Sequence, residues 1–143
     1  MATYPLPAYH FSVEWGGSRT GFLEVKGLDI LIDAVAVRDG SSPEDSMKKM
    51  PGLRKFSNVI LKRGIIKGDN EFFQWINTKT MGSIERRDVV IKLLDDEHAP
   101  AVVWTLHDAF PVRYSGPFLF SSDSEIAIEE LELVHEGISV EYS

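Results

Sequence analysis

Three carboxylates close together near the C-terminal end are the first candidates for chemistry: Glu129, Glu130 and Glu132. Glycosidases use a pair of carboxylates around the bond they cleave, so these residues could form such a pair. Neighbouring acids on one strand, however, are more typical of a solvated face. No G-x-S-x-G motif, phosphate-cradling glycine loop or dinucleotide fingerprint accompanies them. The sequence therefore predicts a protein that is not an enzyme, and a hydrolase that uses Glu130 or Glu132 stays a weaker alternative.

Residue types that bind metals are present, but their spacing is wrong for a site. The four histidines lie at positions 10, 98, 107 and 135 and never pair at i+2 or i+4. The acidic run at 95–98 lacks the spacing of an EF-hand loop and is explained by a polar tip between two strands. Zero cysteines exclude disulfides, thiol catalysis and cysteine-type zinc sites. We expect neither a metal nor a cofactor.

Four cations interrupt the stretch MPGLRKFSNVILKRG at residues 50–64, namely Arg54, Lys55, Lys62 and Arg63. They could bind phosphate, but 22 acidic residues against 15 basic ones give a net charge of −7. This balance argues against stable binding to nucleic acid, which favours a basic footprint. We interpret the four as partners of acidic groups, or as guards on a strand edge that meets another subunit.

The length of 143 residues and the 43% content of hydrophobic residues are those of one globular domain, residues 1–143. No apolar run is long enough to span a membrane. The N-terminal residues lack the pattern of a signal peptide, so we expect synthesis in the cytoplasm.

Alternating apolar residues predict short strands along most of the chain. Tyr9, Phe11, Val13 and Trp15 alternate with polar residues, and the glycine pair at 16–17 predicts a hairpin that returns over 20–27. The segment LDILIDAVAVRDG at 28–40 is apolar on one face and changes from acidic to apolar on the other. A covering surface outside the fold's own core would explain that change.

Three irregular features complete the pattern. Residues 38–53 form a long excursion in which Ser42, Pro43 and Asp45 could begin one helical turn. A helix is predicted over 69–80, capped by Asp69, stopped by Gly82 and packed through aromatic residues against a β core. In the last strand, a β-bulge at Glu129 and Glu130 would bring Ile126, Ile128, Leu131 and Leu133 onto one side. Seven or eight strands with one helix predict a mainly β, two-sheet barrel or sandwich.

The stretch MPGLRKFSNVILKRGI followed by FFQWI resembles the tube proteins of contractile phage tails and of phage-derived extracellular contractile injection systems. Further segments extend the resemblance in order over nearly the whole chain: YHFSVEW, VAVRDG, WTLHDAFPVRYSGP and EIAIEELELVHEGI. Each segment is weak by itself, but together they are specific.

The resemblance implies subunits that close into a hexameric ring, a larger barrel whose stacked copies form a hollow tube inside a contractile sheath. It implies assembly in the bacterial cytoplasm and partners that include sheath, baseplate initiator, terminator or cap and tape-measure proteins, with cargo in the lumen. The excursion would contact the adjacent ring, and the helix would lie on the outer side of the subunit. The excursion residues concerned are Asp39, Ser42, Pro43, Glu44, Asp45, Met50 and Pro51.

An acidic lumen would repel anionic cargo, and its candidate residues are Glu24, Asp29, Asp33 and Glu132. A secreted ring-forming tube protein of a type six secretion system remains an alternative within this class. A monomeric β-barrel that carries a small apolar ligand is an alternative from another class.

Overall fold

The computed structural model describes residues 4–38, 40, 48–78, 84–122 and 125–143. These residues contain nine strands and one helix, which confirms the mainly β class with a single helix. In chain order they are β1 (Phe11–Glu14), β2 (Phe22–Lys26), β3 (Ile30–Val37), β4 (Lys48–Phe56), β5 (Val59–Gly64), α1 (Glu71–Ile76), β6 (Arg87–Leu94), β7 (Pro100–Ser115), β8 (Ile128–Val134) and β9 (Gly137–Tyr142). No helix within the described residues is long and apolar enough to cross a membrane.

Strand β7 connects the two layers of the larger sheet. Its first half pairs with β6 on one edge and with β9 on the other, whereas its second half pairs with β8. Between the halves, Asp108 has a φ of 51°, and Asp88 accepts its backbone N–H. The first layer is therefore β1, β6, the start of β7 and β9, and the second layer is the end of β7, β8, β5 and β2.

One hydrophobic core lies between the layers and under the helix. Strands contribute alternate residues to it because only one face of each is turned inward. Phe72 and Trp75 of α1 are fully buried in the same core as Val13, Trp15, Val59, Leu61, Val89, Ile91, Leu106, Leu131 and Leu133. The helix thus covers the core as predicted.

The hairpin predicted through Gly16 and Gly17 is wrong. Strand β1 pairs with β6 and β2 pairs with β5, so the two lie at opposite ends of the strand order and the sheet is not a closed barrel. Gly16 does have a positive φ of 88°. However, the Trp15 indole donates to the Ser18 carbonyl, and Glu71 of the helix accepts the Ser18 N–H. These bonds hold the connection against the helix and carry the chain to the other edge.

The helix is shorter than predicted, because it spans only Glu71–Ile76. The carboxylate of Asp69 accepts the backbone N–H of Glu71 at 3.2 Å, as expected of a residue that caps the first turn, although Asn70 occupies the cap position. The predicted stop at Gly82 lies outside the described residues.

The β-bulge predicted at Glu129 and Glu130 is also wrong. Strand β8 keeps an unbroken alternation, and Glu129 points inward beside Leu131 and Leu133. The irregular register lies in β7 instead, between Pro111 and Arg113. An inward carboxylate is tolerated because it has buried partners, which are described below.

Strands β3 and β4 form a separate two-stranded sheet, here called the ribbon. The excursion expected over 38–53 is therefore corrected in part: residues 48–53 belong to strand β4, whereas residues 39 and 41–47 lie outside the described residues. The stretch at 50–64 is likewise two strands, which meet at Ser57 and Asn58.

Candidate assembly interface

The ribbon has no cover within the subunit. Every residue of β3 is exposed, and in β4 only Phe56, at its base, is partly buried. The exposed apolar side chains occupy both faces: Ile30, Leu31, Ile32, Val35, Val37, Met50 and Leu53. An isolated hairpin is marginal in water, and contiguous apolar surface of this kind marks an interaction site. The expectation that one face of β3 lies against the subunit's own core is wrong.

The residues predicted to stack rings fall in two groups. Asp39, Ser42, Pro43, Glu44 and Asp45 lie outside the described residues. Met50 and Pro51 are exposed on β4, opposite Val35 and Ala34 of β3.

The ribbon also holds two of the predicted interface cations. Lys55 bonds to Asp33 across the ribbon at 2.7 Å, and Arg54 is exposed opposite Ile32. The register shifts beside Gly52, where a Cβ would lie 2.9 Å from the Asp33 carbonyl oxygen. A side chain there would force the two strands apart.

Lys62 lies on the outer face of the second layer, between two acids. Its ammonium is 3.2 Å from Glu24 of β2 and 3.4 Å from Glu130 of β8. Hydrogen bonds to Glu24 and then to Glu130 raise the pKa of Lys62 above its usual value. Both acids belong to the same subunit, so the expected pairing of Lys62 across a joint between subunits is corrected.

Arg63 points the other way, into the core, and is 1% exposed. Its Nε donates to Glu129 at 2.8 Å and its Nη2 donates to Asp69 at 3.1 Å. The guanidinium stacks 4.0 Å from the Phe72 ring centre. Arg63 therefore ties β5 to β8 and to the helix, and its assignment as an inter-subunit charge is wrong because no surface of it is available.

Tyr114 completes this buried group by donating its hydroxyl to the second oxygen of Glu129 at 2.8 Å. Burial raises the pKa of the Tyr114 phenol, and the hydrogen bond to Glu129 raises it further. Sequence reasoning missed the group because its members come from β5, β7, β8 and the turn before the helix.

The four acids proposed for a lumen do not share one surface. Glu24 and Glu132 lie on the outer face of the second layer, where Asn58 donates to Glu132 at 2.8 Å. Asp29 precedes the ribbon and Asp33 lies in it. The outer face of the second layer carries three acids and three cations, namely Glu24, Glu130, Glu132, Lys26, Lys62 and Arg113. It is charge-balanced and not acidic.

The described residues bring together no group of three or more metal-binding side chains. His10 and His98 do meet edge to face at 4.4 Å, a contact that their sequence separation concealed. Of the three neighbouring glutamates, Glu129 is engaged with Arg63, while Glu130 and Glu132 point to the opposite face. The arrangement offers surfaces for assembly more than groups for catalysis.

Two further surfaces were not predicted. Among the described residues, neither β2 nor the end of β7 has a strand partner on its outer edge, so the second layer has two free edges. The segment after β7 exposes Phe118, Leu119 and Phe120. In the sequence, this segment is marked only by the apolar run PFLF that follows Gly116.

Comparisons with known proteins agree with this geometry. The sequence model of one family, described as T4-like virus tail tube protein gp19, matches residues 7–139. The chain belongs to this tail tube family. A comparison with curated proteins finds no match.

Three solved structures illustrate the similarity of this chain to known proteins. The anti-feeding prophage cap, described as a tube terminating cap, is 30% identical with a TM-score of 0.90, over 100% of this chain and 95% of that one. A chain of the PVC sheath-tube complex in the extended state, from an extracellular contractile injection system, is 31% identical with a TM-score of 0.88, over 99% and 94%. Hcp1 from Flavobacterium johnsoniae, at 19% identity and a TM-score of 0.58 over 94% and 97%, shares the fold alone.

Proposed function

We propose that this chain is the wall subunit of the hollow inner tube of a contractile injection particle. The observation that carries the proposal is the ribbon, whose two apolar faces have no cover in the subunit. Identical copies can supply that cover in a repeating assembly. Membership of the tail tube family and the similarity to a chain of a sheath-tube complex support this role.

The ring would close through the free edges of the second layer. Strand β2 of one copy would pair with the end of β7 in the next, so that each copy adds four strands to one large barrel. Such a head-to-tail contact closes a ring when its rotation divides the circle. Six copies is the number that the family resemblance implies. Closure would remove the edges that otherwise invite uncontrolled pairing.

The outer face of the second layer would line the bore. Glu24 and Glu132 would then face the lumen, while Asp29 and Asp33 would belong to contacts made by the ribbon. Because acids and cations balance on that face, the wall would bind passing cargo weakly through charge, whether the cargo is acidic or basic. The first layer, and with it β9, would face outward toward a sheath.

The proposed partners are further copies of this chain, a sheath, baseplate initiators, a cap or terminator and a tape-measure protein. Assembly would take place in the cytoplasm, without stable binding to nucleic acid and without a catalytic step. The other proteins of the particle determine whether it is a phage tail or a released injection system. The distant identity of the Hcp chains disfavours the type six secretion reading.

Electron microscopy of the purified protein tests the proposal. Concentrated wild-type chain should form rings or tubes, whereas Ile32→Ser/Val35→Ser/Leu53→Ser should stay folded and unassembled, since all three positions are exposed in the subunit. The control Val140→Ser/Tyr142→Ser removes exposed apolar side chains from β9 and should assemble. Wild-type protein that remains monomeric at high concentration would support the ligand-carrier alternative instead.

A further inference from the structure

Both free edges of the second layer carry a β-bulge. On β2 the extra residue is Leu23, next to Glu24. On β7 the extra residue is Val112, next to Arg113. A bulge interrupts the regular spacing of hydrogen-bonding groups along an edge and so restricts the strands that can pair with it. The two bulges therefore limit the joints that this layer can form.

The two bulges are complementary in residue type. Each places an exposed apolar side chain beside a charge, since Leu23 is 48% exposed and Val112 is 46% exposed. The charge is an acid on β2, Glu24, and a cation on β7, Arg113. Both charged side chains lie on the outer face of the layer. A joint between the two edges therefore brings apolar to apolar and acid to cation.

Glu24 and Arg113 each have room for a further partner. Lys62 bonds to Oε2 of Glu24 at 3.2 Å, and a carboxylate accepts hydrogen bonds at both of its oxygens. Arg113 is exposed and makes no hydrogen bond or ion pair with any residue that the structure describes. Strands β5 and β8 separate the two edges within one subunit. An ion pair between Glu24 and Arg113 therefore requires two copies of the chain.

We propose that Glu24 of one copy pairs with Arg113 of the next copy in the ring, and that Leu23 packs against Val112 beside this pair. The inference rests on the proposed tube function, in which these two edges meet, and it names the residues that set the register of the joint. Neighbouring strands of the layer are all antiparallel, and β2 against β7 of the next copy continues the same alternation.

Charge distinguishes the registers that the joint could adopt. Paired residues form a row across the layer, from Lys26 through Ile60 and Glu132 to Arg113, so a joint without stagger brings Arg113 opposite Lys26 of the next copy. A barrel closes only with a stagger between its strands, and a stagger of one residue would turn the outer face inward. A stagger of two residues toward the start of β2 places Arg113 opposite Glu24. From the next register in the same direction, Arg113 still reaches Glu24 diagonally.

Charge reversal on the two sides of the joint gives a test by mixing. Glu24→Arg alone brings two cations together at every joint, and Arg113→Glu alone brings two acids together. Each variant should raise the lowest concentration at which sedimentation detects rings by at least about tenfold, since like charges that face each other destabilise an interface. An equimolar mixture should form rings near the wild-type concentration, because every joint of an alternating ring pairs an acid with a cation.

Two controls accompany the mixing experiment. Glu141→Arg makes the same change of net charge as Glu24→Arg, but on β9 of the other layer, and should assemble as the wild type does. Melting curves of the dilute variants show whether each subunit folds. Glu24 is 46% exposed, so the loss of its bond to Lys62 should change the melting temperature little.

Cross-linking tests the apolar half of the joint without any change of charge. The sequence contains no cysteine, so Leu23→Cys/Val112→Cys carries two thiols only. In assembled rings, a short bis-maleimide should link the copies into a ladder that stops at the number of subunits in one ring. Leu23→Cys/Tyr142→Cys, with its second thiol on β9, is the matched control and should give no ladder.

The outcomes distinguish this inference from the proposed function. Three results would each overturn the assigned pair and leave the tube function standing: wild-type assembly of either single charge variant, no recovery in the mixture, or no ladder from Leu23→Cys/Val112→Cys in assembled rings. Wild-type protein that forms neither rings nor tubes would overturn the tube function itself.

Discussion

Replacing Arg63 by Met should destabilise the subunit more than any other charged-residue substitution on β5. Arg63 is 1% exposed and Glu129 is 4% exposed, so removal of the guanidinium leaves a carboxylate buried without its cation. Tyr114 would still donate to one Glu129 oxygen, but the oxygen that faces Arg63 would lose its partner. Asp69 also loses its ion pair with Arg63, but the cost is smaller because Asp69 is more exposed and still accepts the Glu71 N–H.

Breaking a buried ion pair from one side costs about 3–5 kcal/mol. A domain of this size is stable by roughly 5–15 kcal/mol in total, so the loss is a large fraction of its free energy of unfolding. At about 2–4 °C per kcal/mol, the melting temperature should fall by roughly 6–20 °C. Stacking against Phe72, which Met replaces only in part, adds to the loss.

Urea denaturation followed by tryptophan fluorescence measures the effect, since Trp15 and Trp75 are buried in the same core. The protein must be dilute enough to sediment as single subunits, because assembly would otherwise raise the apparent stability. Lys62→Met is the matched control: it removes a cation from the neighbouring position, whose side chain points to the outer face.

The double variant Arg63→Met/Glu129→Leu removes both charges. Its loss in free energy of unfolding should be smaller than the sum of the losses of the two single variants. Residues that share one buried network show interaction energies of about 0.5–3 kcal/mol. If Arg63→Met cost no more than Lys62→Met, or if the single effects simply added, Arg63 and Glu129 would not act as a buried pair.

Three further outcomes follow from the structure. The free energy of unfolding should fall as pH rises above about 10, because Tyr114 and Lys62 hold their protons more tightly when folded. The stabilisation from these two groups is present below their usual pKa values and is lost above their raised pKa values. Melting curves from pH 8 to 11 measure this loss of stability, and Tyr114→Phe should make the loss smaller. Gly27→Ala should cost at least about 1–3 kcal/mol, since Gly27 has a φ of 101° and its Cβ would collide with the Asn58 carbonyl. Gly116→Ala, where nothing lies within 4 Å, should melt near the wild-type temperature, and equal losses for the two alanines would contradict this account.

The elements that sequence predicted best are those with one buried face. The alternation from Phe11 to Trp15 identified a strand, and the aromatic spacing around Phe72 and Trp75 identified the helix. Which strands pair was beyond the same reasoning. Two apolar segments separated by Gly16 and Gly17 have the sequence pattern of a hairpin, whether they pair with each other or lie at opposite edges of the sheet. The hydrogen bonds that direct the chain to the other edge involve Ser18 and Glu71 of the distant helix, and sequence pattern does not reveal them.

The ribbon shows a second limit of sequence reasoning. Apolar residues on both faces of β3 indicate that both are covered, but the residue types are the same whether the cover is the chain's own core or another copy. Only the structure separates the two cases, because it leaves Leu31, Ile32 and Val35 exposed. Both faces of β3 lack cover within the subunit, so the expectation of an external cover stays a prediction and now applies to both faces.

The buried pair could have been found from parity alone. Val59 and Leu61 point inward, so strict alternation on β5 also turns Arg63 inward and Lys62 outward. Leu131 and Leu133 point inward, so the same rule turns Glu129 inward on β8. The bulge is predicted from the opposite parity of Ile126 and Ile128 to Leu131 and Leu133. Without it Glu129 turns inward, where an arginine of inward parity on another core strand supplies the opposite charge. Unbroken alternation turns both Arg63 and Glu129 into the core, where a single charged side chain would be unfavourable. Because the two charges are opposite, the same alternation predicts that they form an ion pair.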